Sequence, residues 1–156
     1  MDRRSNTPVV RGLVAGSIGT LALTLSERLE MSVSGRAASQ VPGQVGTHLL
    51  HGAEPGSEAD VQRLTGPVHW AHGIAMGTLR AAIHRAGFQG PVASLIHFAL
   101  VWGADAALYR TLDIADVPWR WKPAELATDV VHKGVYTAVT GLAYDTLAKR
   151  DPARTS

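Results

Sequence analysis

The sequence predicts an all-α fold, an antiparallel up-down bundle of four helices that cross a bilayer. Three observations predict it: apolar blocks long enough to span, charges gathered between or at the ends of those blocks, and small residues recurring every four positions within each block. A chain of 156 residues holds one domain. Charged residues make up 18% of it, against about 25% in soluble domains. Lysine occurs only at Lys122, Lys133 and Lys149, outside or near the ends of the apolar runs.

A helix needs about 20 residues to cross a hydrocarbon core of about 30 Å. Four segments qualify, near 9–31, 66–85, 91–110 and 127–148. In the first, Gly12 to Ser26 holds no ionisable residue, and Arg3, Arg4 and Arg11 precede it. That order superficially resembles a secretory leader, but a leader ends in a small-residue cleavage site, and Glu27, Arg28 and Glu30 continue this segment instead. The second segment is interrupted by His69, His72, Arg80 and His84. The third holds only His97 and Asp105 between Pro91 and Leu108, and the fourth carries Asp129, His132 and Lys133. Ionisable groups in such segments are tolerated where they face a bundle interior or lie near the interface.

The links differ. A Gly- and Ser-rich loop over 32–65 carries Glu54, Glu58 and Asp60, and Val41 to Leu50 within it has the character of a short interfacial segment. The next link, 86–90, is a tight hairpin broken by Gly87, Gly90 and Pro91. The third holds Trp119, Arg120, Trp121 and Lys122, amphipathic rings beside cations, as expected of an interface anchor or of a surface loop with half-buried tryptophans. With both termini cytoplasmic, the inner side carries Arg3, Arg4, Arg11, Arg85, Lys149, Arg150 and Arg154, against Arg36, Arg63, Arg110, Arg120 and Lys122 outside. The positive-inside rule therefore favours that orientation narrowly.

Gly12 and Gly16, Gly73 and Gly77, Ala99, Gly103 and Ala107, and Gly134 and Ala138 share four-residue spacing. In lipid such spacing lets backbones approach, because packing must replace the hydrophobic effect between helices.

Successive helices run in opposite directions, so the end of one lies level with the start of the next. At 1.5 Å per residue, Glu27, Glu30, His69, His72, Asp105, Asp129 and His132 are expected within about 10 Å of one membrane face. Three i, i+3 pairs among them share helix faces: Glu27 with Glu30, His69 with His72, Asp129 with His132. Carboxylate and imidazole donors converging from four helices suit a transition metal such as iron, manganese or zinc. The Glu-x-x-His pattern of di-iron bundles is missing, and the alternatives are a proton- or ion-handling site or an interfacial layer of mutually bonded polar groups. His97 lies deeper. It fits a hydrogen-bonded packing residue better than a haem ligand, since no histidine shares its depth.

Without cysteine there are no disulfides and no thiol nucleophile. Phosphate loops, nucleophile elbows and His-Glu-x-x-His motifs are also missing, and a net charge of +2 without a basic stripe gives no case for nucleic acid. Ser34 to Ser39 places Arg36 among small hydroxyls, a solvated turn that would also suit a lipid headgroup phosphate.

Glu30-Met31, Gly35-Arg36, Ser39 and Pro42 after a Gly-containing helix, followed by Trp121, Asp129, His132, Tyr136 and Thr140, resemble the pattern of uncharacterised small four-helix inner-membrane proteins of actinobacteria. Val131 stands where those proteins carry proline, and Thr137 where they carry glycine. The resemblance implies topology and localisation, and it marks Glu30, Asp129 and His132 as motif positions. The expected function is that of an accessory, scaffold or stress-related membrane component, in lipid and with a possible protein partner or second copy. The alternatives are a metal-binding or redox-active membrane protein built on the polar layer, and a soluble helical bundle.

Overall fold

The computed structural model describes residues 3–52 and 56–150. Glu54 and Arg154 lie outside the described residues, as do the side chains of Arg3 and Arg4. Among the described residues five α-helices form: α1 (Arg3–Ser34), α2 (Val41–His51), α3 (Glu58–Arg85), α4 (Gly90–Thr111) and α5 (Pro123–Lys149), with a 3₁₀ turn at Pro118–Arg120 before α5. Among the described residues there is no strand.

The long helices extend past the expected spans, and local chemistry explains where they start. α3 begins eight residues before position 66 because Ser57 caps it: its hydroxyl accepts from the Asp60 N–H and donates to the Asp60 carboxylate. The same hydroxyl holds the Asp60 carboxyl below its ordinary range. Pro123 in the first turn of α5 needs no backbone partner there. The loop expected over 32–65 is thereby replaced in large part by α2 and the first turns of α3.

Contacts fix the directions. Thr24 meets His69 and Gly16 meets Gly77, so α1 and α3 are antiparallel; Ser26 meets His132 and Gly19 meets Tyr136, so α1 and α5 are too. Trp102 meets Asp129 and Gly90 meets Asp145, which sets α4 against α5. α1 packs between α3 and α5, α4 closes the far side against α5, and α2 lies across α3.

The small-residue pattern is realised on half of the bundle. A Cβ on Gly12 would lie 2.8 Å from the Gly77 carbonyl oxygen, and one on Gly16 2.8 Å from that of Ile74, so this seam is closed to any larger side chain. Gly103 and Gly134, by contrast, have nothing within 4 Å of such a carbon. The expected close packing at Ala99, Gly103 and Ala107 is not formed, since all three are exposed. Gly134 and Ala138 line a shallow apolar groove between α4 and α5.

Two helices, α1 over Thr7–Ser34 and α4 over Gly90–Thr111, are long and apolar enough to cross a membrane.

Candidate functional site

Where α1 ends and α3 and α5 begin, the helices splay around a cavity of about 480 Å³, roofed by Val41, Pro42 and Val45 of α2 and flanked by Trp121. Six of the seven residues expected at one depth line it: Glu27, His69, His72, Asp105, Asp129 and His132. The seventh, Glu30, stands beside it and is held by the Arg36 guanidinium, whose Nε and Nη2 both donate to Oε2, at 3.0 and 2.8 Å. This occupies the one cation that the Ser34–Ser39 turn offered to a phosphate.

Antiparallel order brings the layer together, but a residue outside the expected set organises it. Lys133 reaches Asp129 at 2.8 Å and Asp105 at 3.3 Å, and its ammonium sits 5.3 Å from the centre of the Tyr109 ring. Asp105 is almost completely buried, so its charge needs both this ammonium and the His72 Nε2, 3.0 Å from Oδ1. The other oxygen of Asp129 accepts from Trp102 Nε1 at 2.8 Å. His69 Nε2 bonds Thr24, while His132 Nδ1 bonds Ser26 at 2.9 Å and leaves Nε2 facing Glu30 at 3.9 Å, beyond hydrogen-bond reach. Glu27 forms no hydrogen bond or ion pair among the described residues.

Beside the cavity, Trp121 Nε1 donates to the Asp116 carbonyl. The Asp116 carboxylate is held below its ordinary range by the Val117 N–H, with Arg120 adding to it. The paired tryptophans part company here: Trp121 lines the cavity and Trp119 is exposed.

Among the described residues no three His, Asp or Glu groups are grouped to hold a metal ion. Asp105 and Asp129 share the Lys133 ammonium, and Glu30 is engaged by the Arg36 guanidinium. His97 is fully buried and hydrogen-bonds the Met76 carbonyl through Nε2 at 3.0 Å, the behaviour of a packing residue.

A second polar site lies at the other end of the bundle, which the sequence reading missed. Arg80, fully buried, donates through Nη2 to Asp145 and lies over the Tyr144 ring. Asp145 also accepts from the backbone N–H of Gly90. The signal was an acid on α5 placed at the level of a basic residue on α3. Hydropathy alone marks Arg80 only as an interruption of its segment.

Comparison with protein-family models, with curated proteins and with solved structures gives no match.

Proposed function

We propose that this chain is a multi-pass protein of a bacterial inner membrane, crossing it with α1, α3, α4 and α5, both termini cytoplasmic, of the small actinobacterial kind it resembles. It acts there as an accessory component that holds a ligand at one membrane face. One observation carries the membrane reading: large apolar side chains face outward while several polar and charged ones are buried. Val10, Val14, Leu21 and Leu25 of α1, Val92, Leu95 and Leu100 of α4, and Leu142 of α5 are exposed, while Arg80, His97, Asp105, His132 and Thr140 are buried. A core helix of a water-soluble bundle buries most of its apolar length, yet only 28% of the apolar window of α1 or of α4 is buried. Water on those faces would leave an apolar surface far larger than soluble monomers expose; hydrocarbon removes the conflict. We read α3 and α5 as the further spans because Arg80 in the one and Lys133 in the other are ion-paired within the bundle, which lowers the cost of crossing.

Alkaline carbonate extraction of membranes tests this. The protein is expected to stay in the pellet, and its release would overturn the reading. Since the chain lacks cysteine, Ala38→Cys and Lys149→Cys report orientation cleanly: a membrane-impermeant maleimide labels the first in intact spheroplasts and the second only after permeabilisation. The metal-binding alternative is less well supported, because among the described residues no three His, Asp or Glu groups are grouped to hold an ion.

A further inference from the structure

We infer that the cavity at the α2 end binds a lipophilic organic cation, an ammonium or phosphonium centre on an apolar body. The inference rests on the membrane reading above, which places the cavity at the depth where amphiphiles concentrate.

Charge is the first ground. Arg36 is taken by Glu30 and Lys122 by Glu125, and Lys133 offers a single charge to both Asp105 and Asp129. Two aspartates therefore share one ammonium, and Glu27 lines the same partly enclosed space with no ion-pair partner among the described residues. Fixed negative charge in a site of reduced dielectric attracts a cation more strongly than the same charge in open water. The second ground is an unpartnered group within the lining. His132 has a side chain only 7% exposed, and its Nε2 is buried without a hydrogen-bond partner.

The third ground is the wall. Leu23, Val45, Val68, Leu108 and Trp121 supply apolar and aromatic surface beside the carboxylates. The position of Lys133 over Tyr109 shows that this wall already accepts one cation. A volume of about 480 Å³ suits a small organic molecule, whose pockets run from about 300 to 1,000 Å³, and it is far larger than one ion needs. Glu27 is the anchoring carboxylate, and α2 covers the apolar body.

Tetraphenylphosphonium and tetraphenylborate, nearly equal in size and opposite in charge, test this by equilibrium dialysis against the full chain in neutral detergent, with empty micelles as the blank. The phosphonium is expected to bind at least about tenfold more tightly than the borate, and Glu27→Gln to weaken it about tenfold, the effect of losing one charge pair in such a site. Val45→Trp, which fills the cavity and leaves every charge in place, is expected to abolish binding; it decides the matter alone if Glu27→Gln fails to fold by helical circular dichroism. Equal binding of the two ions, no binding of the phosphonium, or phosphonium affinity unchanged in the folded variants overturns the inference. Those outcomes leave the membrane reading standing, whereas release by carbonate removes that reading itself.

Discussion

The two ends of the bundle handle buried charge in opposite ways. At the α3–α4 hairpin, one fully buried guanidinium meets one carboxylate at the edge of the α4–α5 groove, with the Gly90 N–H and the Tyr144 ring as further partners. At the α2 end, Lys133 is shared between two aspartates, three imidazoles surround them, and a cavity separates the groups. The sites are about 16 Å apart along α3, from the eleven-residue separation of His69 and Arg80 at 1.5 Å per residue. A one-to-one pair fixes the position of helices, since neither partner has a second ion to turn to. A cluster in which one cation is shared between two acids beside a cavity tolerates rearrangement, and that tolerance is what a binding site requires.

Breaking the Arg80–Asp145 pair is the largest predicted effect. Arg80→Met leaves Asp145 without its ion-pair partner, and removal of one member of a buried pair costs about 3–5 kcal/mol. Denaturation in detergent, followed by circular dichroism, should show that loss, and Arg80→Met with Asp145→Leu should recover much of it. A loss below about 1 kcal/mol for the single variant would show that the hairpin end is as adaptable as the cavity end.

The glycine seam between the two ends gives the next effect. Gly77→Ala drives a methyl into the Gly16 backbone, 2.6 Å from its Cα, and overpacking of this kind costs about 1–3 kcal/mol. Gly103→Ala meets open space, so it should be neutral or stabilise by about 0.5–1 kcal/mol through helix propensity. Equal effects of the two would mean that the seam does not set the spacing of α1 and α3.

At the cavity end, Lys133→Met leaves Asp105 beside His72 and Asp129 bonded to Trp102 Nε1, so its cost should fall below the ~3–5 kcal/mol of removing one member of a buried pair that has no second partner. The same unfolding measurement serves. A cost equal to that of Arg80→Met would erase the contrast between the ends.

The shared depth of the polar layer was legible in the sequence because helical rise and alternating direction fix height from residue number alone. Its wiring was not, since which neighbour a side chain meets depends on how each helix is rotated about its axis. That rotation is set by contacts such as the Gly12–Gly77 seam. Hence Lys133, which the depth argument leaves out, is the hub of the layer, and Glu30 pairs with Arg36 beside the cavity. Small-residue spacing failed in the same way: it marks faces able to pack closely, and α1 with α3 uses such a face while α4 leaves its own exposed. The start of α3 was misjudged because hydropathy ends near position 66, whereas capping chemistry at Ser57 extends the helix two turns beyond the apolar block.

That cap supplies the smallest prediction and ties local chemistry to the cavity end. Ser57→Ala removes the acceptor for the Asp60 N–H and the donor to its carboxylate, at a cost of about 1 kcal/mol. The Asp60 carboxyl titrates below its unfolded value, so its contribution is present above that value and is lost as pH falls through the lower, folded one. In Ser57→Ala the two values converge, and the acid-dependent part of this contribution should disappear. Unfolding curves at neutral and acid pH should therefore lie closer together for the variant than for the parent. An unchanged gap would place the acid sensitivity of this end elsewhere, with the carboxylates of the cavity as the next groups to substitute.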